Sequence, residues 1–348
     1  MKRYNSPVLK ATRKVLYGYV VCKTLHMRYG KDTHIFLVRG KTGDIFLYFR
    51  FLEAYIREQE MEHYLIIGDG KGMKAIQKLY PTITGRCIAV TKETGEALQS
   101  AYCFWGENHL KMTLSLMWDV DLPYNRCAVR LTTPFNFIDS YYWFLFHLNR
   151  DKAEPTKAVF QGITTSLEER LIGKGVEPGN TVILSPYAYC VRCLPTLFWT
   201  LLGKDLEHLG YTVLVMLDEK NETNEFGFPS IFFTYSESAA VLKYAGHFIG
   251  LRSGFCDIIA ETECNKVILY PVKPKRFNGS VHRADAEYSS FANMELAMDA
   301  LEITVPFCRD VTNFESETEN LEEHIAEHRT VIEKILSRFP ARTRKVVC

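Results

Sequence analysis

The sequence has no apolar run long enough to cross a bilayer. Its longest, VLYGYVVC and YYWFLF, fall far short of the roughly 20 residues that a spanning helix needs. It has no charge excess either, with 42 Lys and Arg against 41 Asp and Glu. A general nucleic-acid binder carries a clustered basic surplus, so no nucleic-acid partner is expected. Nor is there a cysteine framework: ten cysteines are spaced irregularly over 348 residues, too sparse for a small disulfide scaffold. Cys190 and Cys193 make the only CxxC, and no second ligand pair stands at zinc-site spacing. The expected state is a set of thiols in a reducing cytosol. Cys348 is the last residue, not the fourth from the end, which excludes a prenylation box. The opening residues MKRYNSPVLKATRK lack the apolar stretch of a secretory leader. A soluble, cytoplasmic protein is expected, with a peripheral role at a membrane left open.

HExxH, P-loop and GxSxG motifs are missing too. Asp119 and Asp121, in WDVDLP, do have DxD spacing, but a single short acidic pair needs further ligands to hold a metal. They read as a surface turn, and no metal site is expected.

What the sequence does have is apolar content and alternation. Hydrophobic residues make up 47% and charged residues 24%, an ordinary globular balance that excludes disorder as the main state. THIFLVRG, HYLIIGDG, GRCIAVT and LKMTLSLMW read as strands. Between and after them DIFLYFRFLEAYIREQ, KGMKAIQKLY, ETGEALQSAYCFWG and NFIDSYYWFLFHLNR read as helices. This is the pattern of a parallel sheet covered on both faces. Residues 151–180, rich in Gly and Pro, read as a connection with one short helix at SLEERLI. The alternation then restarts. TVILSPYA, YTVLVMLD, HFIGLRS and NKVILYP are strands. CLPTLFWTLLGKDLEHLG, SESAAVLKYAG with Ser236 as N-cap, and GFCDIIAETE are helices. A basic loop from Lys273 to Arg283 and a charged amphipathic helix, NLEEHIAEHRTVIEKILSRF, close the chain. The expected class is α/β, with two doubly wound Rossmann-like domains over 1–154 and 155–319 and a C-terminal helix in 320–348. Two such domains facing a central cleft bind ligand outside the carboxyl ends of their strands.

Four loops fall at such carboxyl ends. In VRGKTGDIF, Gly40 and Gly43 permit a tight turn, and Asp44 lies at the N-cap or first turn of a helix. Asp44 can be a helix cap or a general base toward an acceptor hydroxyl. In LIIGDGKGM, Gly68, Gly70 and Gly72 have GxGxG rather than GxGxxG spacing, and they follow the second strand rather than the first. In ILSPYAYC, Ser185 and Tyr187 offer hydroxyls near a ligand or form a simple turn. In HFIGLRSGFCDIIAE, Arg252, Ser253 and Gly254 open a helix whose free N–H groups suit a diphosphate. Glu237 stands at the start of its helix and can face the same cleft. Asp257 is expected to pair locally, and His247 to be structural.

Two segments carry a family resemblance. IFLVRGKTGDIFLYFRFLEAYIRE is similar to the opening strand, glycine loop, Gly-Asp and apolar helix of GT-B glycosyltransferases of the ADP-heptose:lipopolysaccharide heptosyltransferase superfamily. YAGHFIGLRSGFCDIIAETECNKVILYP resembles that family's strand, Ser-Gly turn, helix and following strand. TVILSPYA with FWTLLGKDLEHLGYTVLVM looks like the start of its second domain. The sequence is also similar to sugar-transfer proteins of bacterial surface-polysaccharide clusters.

The resemblance implies an N-terminal acceptor domain and a C-terminal nucleotide-sugar donor domain. It implies a catalytic base at Asp44, an acceptor-side loop at Lys41, Thr42 and Gly43, and a phosphate turn at Ser253 and Gly254. The donor side would extend to Arg252, Phe255, Ser185, Tyr187 and Glu237. The family often has an acidic residue just before or at that turn; here Arg252 stands there, and an Arg beside the diphosphate resembles fucosyltransferase-like GT-B enzymes instead. The implied reaction is inverting, metal-independent transfer from a nucleotide-diphosphate sugar to a glycan or lipid-linked acceptor, with no cofactor. The C-terminal helix would cross back onto the first domain. Two other readings stand beside it: an NAD- or S-adenosylmethionine-dependent enzyme using Gly68 to Gly72, and a non-catalytic partner in polysaccharide assembly.

Overall fold

The computed structural model describes residues 7–114, 138–188, 193–217, 224–272, 300–306 and 321–342. The chain divides into two compact units, Met1–Val159 and Phe160–Cys348. Asp119, Asp121, Cys190 and the basic stretch 273–283 lie outside the described residues.

In the first unit, short mainly apolar runs make the strands. These are β1 (His34–Val38), β2 (Tyr64–Asp69), β3 (Cys87–Val90) and β4 (Met112–Leu114). They form one parallel sheet in the order β3-β2-β1-β4. The central β1 is buried on both faces and the edge strand β3 is half-buried. Ile35 to Val38 have no exposed surface. Helix Thr42–Glu58 follows β1 and is apolar nearly all round, with Ile45 to Phe49 buried in succession, as expected of a helix inside a core. Its Phe51 and Tyr55 rings pack on Tyr141, Tyr142 and Phe146. Tyr141 and Tyr142 belong to a π-helical turn, Ser140–Leu145, with Phe146 as its C-cap, where a longer regular helix was expected.

Helix Pro7–Tyr29, unread in the sequence, lies against helix Lys92–Trp105. The two approach so closely that a Cβ on Gly18 would stand 1.9 Å from the Ala97 carbonyl oxygen. Lys14 pairs with Glu96 at 2.7 Å, and Cys22 and His26 turn inward toward the Leu110 carbonyl.

Among the described residues the second unit holds six parallel strands: β5 (Thr181–Ser185), β6 (Thr212–Met216), β7 (Ser230–Ile231), β8 (Gly246–Leu251), β9 (Asn265–Val272) and β10 (Ala300–Pro306). Their order, β10-β9-β8-β5-β6-β7, is the doubly wound order of dinucleotide-binding domains read from the other edge. β7 and β10 were not legible in the sequence.

Two expectations are corrected. Helix Ser238–Ala245 has Glu237, not Ser236, at its N-cap; Ser236 instead accepts the Gln161 N–H through its carbonyl. The helix after the Ser-Gly turn is only Gly254–Ile258. Beyond its end, the Lys266 ammonium donates to the carbonyls of Thr262 and Cys264. The C-terminal helix, Leu321–Leu336, packs within the second unit. Its spacing puts Val331, Ile332 and Ile335 into the core with Phe198, Trp199 and Leu202, and Arg329 pairs with Asp205 at 2.5 Å.

Candidate functional site

The second unit concentrates its candidate residues where the strand order reverses. β5 and β8 are neighbours there, with Ser185 in register with Gly250. In doubly wound sheets the connections from two such neighbours leave toward opposite sides and open a crevice at the carboxyl ends. Ser185 ends β5 and is 2% exposed. Two residues on, Tyr187 is 41% exposed, with its ring 5.6 Å from Phe226. Phe226 sits in the segment after β6; its ring beside Tyr187 was not anticipated.

Ser253 and Gly254, just beyond β8, are half-buried, and the serine hydroxyl stands 3.8 Å from the Cys256 sulfur. Arg252 behaves differently from the sequence expectation. Its side chain is 8% exposed and donates to Asp257 at 2.6 Å and to the Ser253 carbonyl at 2.6 Å. Burial opposes its charge, but the Asp257 carboxylate, with Cys256 and Tyr270, more than reverses that effect and keeps it a cation. The guanidinium therefore braces the Arg-Ser-Gly turn from within. Phe255 is also turned inward, 8% exposed, among Phe233, Tyr235 and Phe248. It fills the core beneath the turn.

Glu237 is engaged on both carboxylate oxygens. One accepts from Arg170 at 2.8 Å; the other accepts from the Thr234 N–H at 2.8 Å and its hydroxyl at 2.9 Å. Burial pushes its pKa up, but these donors outweigh burial and hold it below the usual carboxylate value. The helix that carries Arg170, Thr165–Gly173, matches the short helix read at SLEERLI, but the pairing of Arg170 with Glu237, 67 residues on, was not legible in the sequence.

In the first unit, β1 leads through Gly40, at φ 128°, into helix Thr42–Glu58. Lys41 is the N-cap and exposed, Thr42 is half-buried and Gly43 buried. Asp44 is the third helical residue, and its Oδ2 accepts the Lys41 backbone N–H at 3.1 Å. That bond caps the helix and also fixes the direction of the carboxylate. Arg39, one residue before Gly40, reaches Gln99.

Gly68 lies in β2, which runs directly into helix Gly70–Ile76, and Gly72 of that helix lies beside these residues. A Cβ on Gly72 would meet Ile45 at 3.4 Å and Thr42 at 3.7 Å, and one on Gly68 would stand 2.2 Å from the Met73 sulfur. Packing of Met73 thus accounts for Gly68. Among the described residues, no group of three or more His, Cys, Asp or Glu side chains is placed to hold a metal ion.

No protein-family model matches the sequence, and no curated protein matches it. Solved structures similar to the chain include a glycosyl transferase of family 9 from Veillonella parvula. It has 13% identity, a TM-score of 0.49, and coverage of 87% of this chain and 97% of that one. Another is E. coli ADP-heptose lipopolysaccharide heptosyltransferase II, at 12% identity, TM-score 0.46, and coverage of 87% and 99%. A third is the iron-containing dodecameric glycosyltransferase TibC from enterotoxigenic E. coli, at 13% identity, TM-score 0.47, and coverage of 88% and 76%.

Proposed function

We propose that the chain is a glycosyltransferase that moves a sugar, with inversion and without a metal, from a nucleotide-diphosphate sugar to a hydroxyl of a glycan or lipid-linked acceptor. One observation carries the donor half of this reading. The second unit has the doubly wound strand order, and Ser185, Tyr187 and the Arg252–Gly254 turn all fall at its switch point. In this reading the backbone N–H groups of the Ser253–Gly254 turn and the Tyr187 hydroxyl hold the nucleoside diphosphate. Arg252 keeps the turn in shape through Asp257.

Asp44 is the base. The acceptor oxygen attacks the anomeric carbon as its proton passes to the Asp44 carboxylate, and the bond from that carbon to the diphosphate oxygen breaks. The electron pair leaves on the nucleoside diphosphate. The Lys41 N–H aims the carboxylate, which is the kind of preorganisation that general-base catalysis needs. The same reading has the protein cytoplasmic and, for a lipid-linked acceptor, peripheral at the inner face of the membrane.

A thermal-shift panel of GDP, UDP, ADP, CMP, NAD and S-adenosylmethionine, each with and without magnesium, tests the donor. Ligand at about 100 times its Kd adds about 2.7 kcal/mol to stability. A shift with one nucleoside diphosphate, equal in both magnesium conditions, is expected. A shift with NAD or the methyl donor alone would overturn the reading.

A further inference from the structure

Helix Pro7–Tyr29 buries one face on the first unit and turns an apolar stripe outward. Gly18, Cys22 and His26, spaced four apart, are its buried positions. Leu9, Leu16, Val20 and Met27 fall on the opposite face by helical spacing and are 52%, 53%, 59% and 78% exposed. A row of this kind is uncommon on a soluble surface and marks a contact. It is too mixed with charge to cross a bilayer, and among the described residues no helix is long and apolar enough to do so.

The charge around the stripe says what the contact is. Residues 1–31 hold eight Lys or Arg and no Asp or Glu, while the remaining residues hold 34 against 41. Arg13 and Lys23 flank the stripe, one on each side, and Lys10 and Arg28 lie farther round on the Arg13 side. At the end of the neighbouring helix, Phe104 is 67% and Trp105 39% exposed. The Trp105 ring is 5.3 Å from Tyr19, and the Lys23 ammonium is 5.3 Å from the centre of that same tyrosine ring. An apolar stripe, cations beside it and aromatic rings at its border are the makings of a helix that lies in a lipid interface. A second copy of this helix would set cations against cations, whereas an anionic leaflet complements them.

We propose that the outward face of helix Pro7–Tyr29, with Phe104 and Trp105, docks the protein in the plane of an anionic lipid bilayer. This deepens only the peripheral-membrane part of the proposed function. Vesicle binding needs neither donor nor acceptor, so it holds or fails separately from sugar transfer.

The test is co-sedimentation of the full chain with phosphatidylcholine vesicles and with vesicles containing phosphatidylglycerol. Binding to the anionic vesicles and not to the neutral ones, weakening as salt is raised, is expected. L16D/V20D should abolish it; both positions are exposed, and an unchanged melting curve would confirm folding. K10E/R13E alters charge alone and should weaken anionic binding at least about 25-fold, at about fivefold for each cation held near the surface. Absence of vesicle binding, or binding that survives both double variants, would overturn the proposal. So would lipid-free dimerisation that L16D/V20D removes, which would assign the stripe to a second copy.

Discussion

Arg252 and Asp257 show how far one buried pair can shape a site. Each side chain is more than nine-tenths buried, so removing one leaves the other as an uncompensated charge, at a cost of about 3–5 kcal/mol. Arg252→Ala is therefore expected to lose about that much stability in urea titration. If it stays as stable as the parent and loses only nucleotide affinity, the guanidinium faces ligand instead. Asp44 carries two separable roles. Asp44→Asn can still accept the Lys41 N–H but cannot take a proton, so transfer should fall about 10²–10⁴-fold with little change in melting. Asp44→Ala should lose the cap as well, for about 1 kcal/mol more. Turnover unchanged in the asparagine variant would leave Asp44 a cap alone. At Glu237 the native pKa lies below the ordinary value of 4.5. Its bonds to Arg170 and Thr234 thus stabilise the fold above that value, and the contribution is lost as pH falls through the depressed native one. Glu237→Gln should flatten the acid limb of the stability profile below pH 4.5.

At the scale of elements, Gly18 sets two effects against each other. An alanine there would gain about 1 kcal/mol of helix propensity. Yet its Cβ would meet the Ala97 backbone at 1.9 Å, and overpacking costs about 1–3 kcal/mol. The nearest atoms are backbone and cannot rotate away, so the clash wins. Gly18→Ala is expected to lower stability and speed amide exchange in helix Pro7–Tyr29; a more stable variant would refute that packing. The same helix explains what the sequence hid. Its apolar residues point both ways, with Cys22 inward and Leu16, Val20 and Met27 outward, so no clean one-sided stripe betrayed it. The strands β1, β2, β5, β6, β8 and β9 were legible because each is an apolar run buried on both faces. β10 was not, because ALEITVP becomes a strand only by pairing with β9, Ile303 beside Leu269. The candidate loops were legible as turns following strands. That Arg252 points inward was not, because its partner Asp257 is recognised only once the turn is folded.

For the whole molecule, the division at Val159 and Phe160 makes the donor assignment testable by region. With nucleoside diphosphate near saturation, amide exchange should slow in β5, β8 and the Arg252–Gly254 turn. It should change little in β1 to β4. Protection centred on Gly68–Gly72 instead would move the nucleotide to the first unit.

The place of helix Leu321–Leu336 bears on how the protein is made. Val331, Ile332, Ile335 and Phe339 share one apolar cluster with Val182, Val213 and Ile249, so residues synthesised late cover strands made much earlier. Until they emerge from the ribosome, part of the apolar face of the second sheet stays uncovered, and exposed sheet faces of this kind are what chaperones bind and what aggregates in their absence. A nascent chain stalled near residue 320 should therefore stay chaperone-bound, and release should follow only when the final turn of that helix is complete.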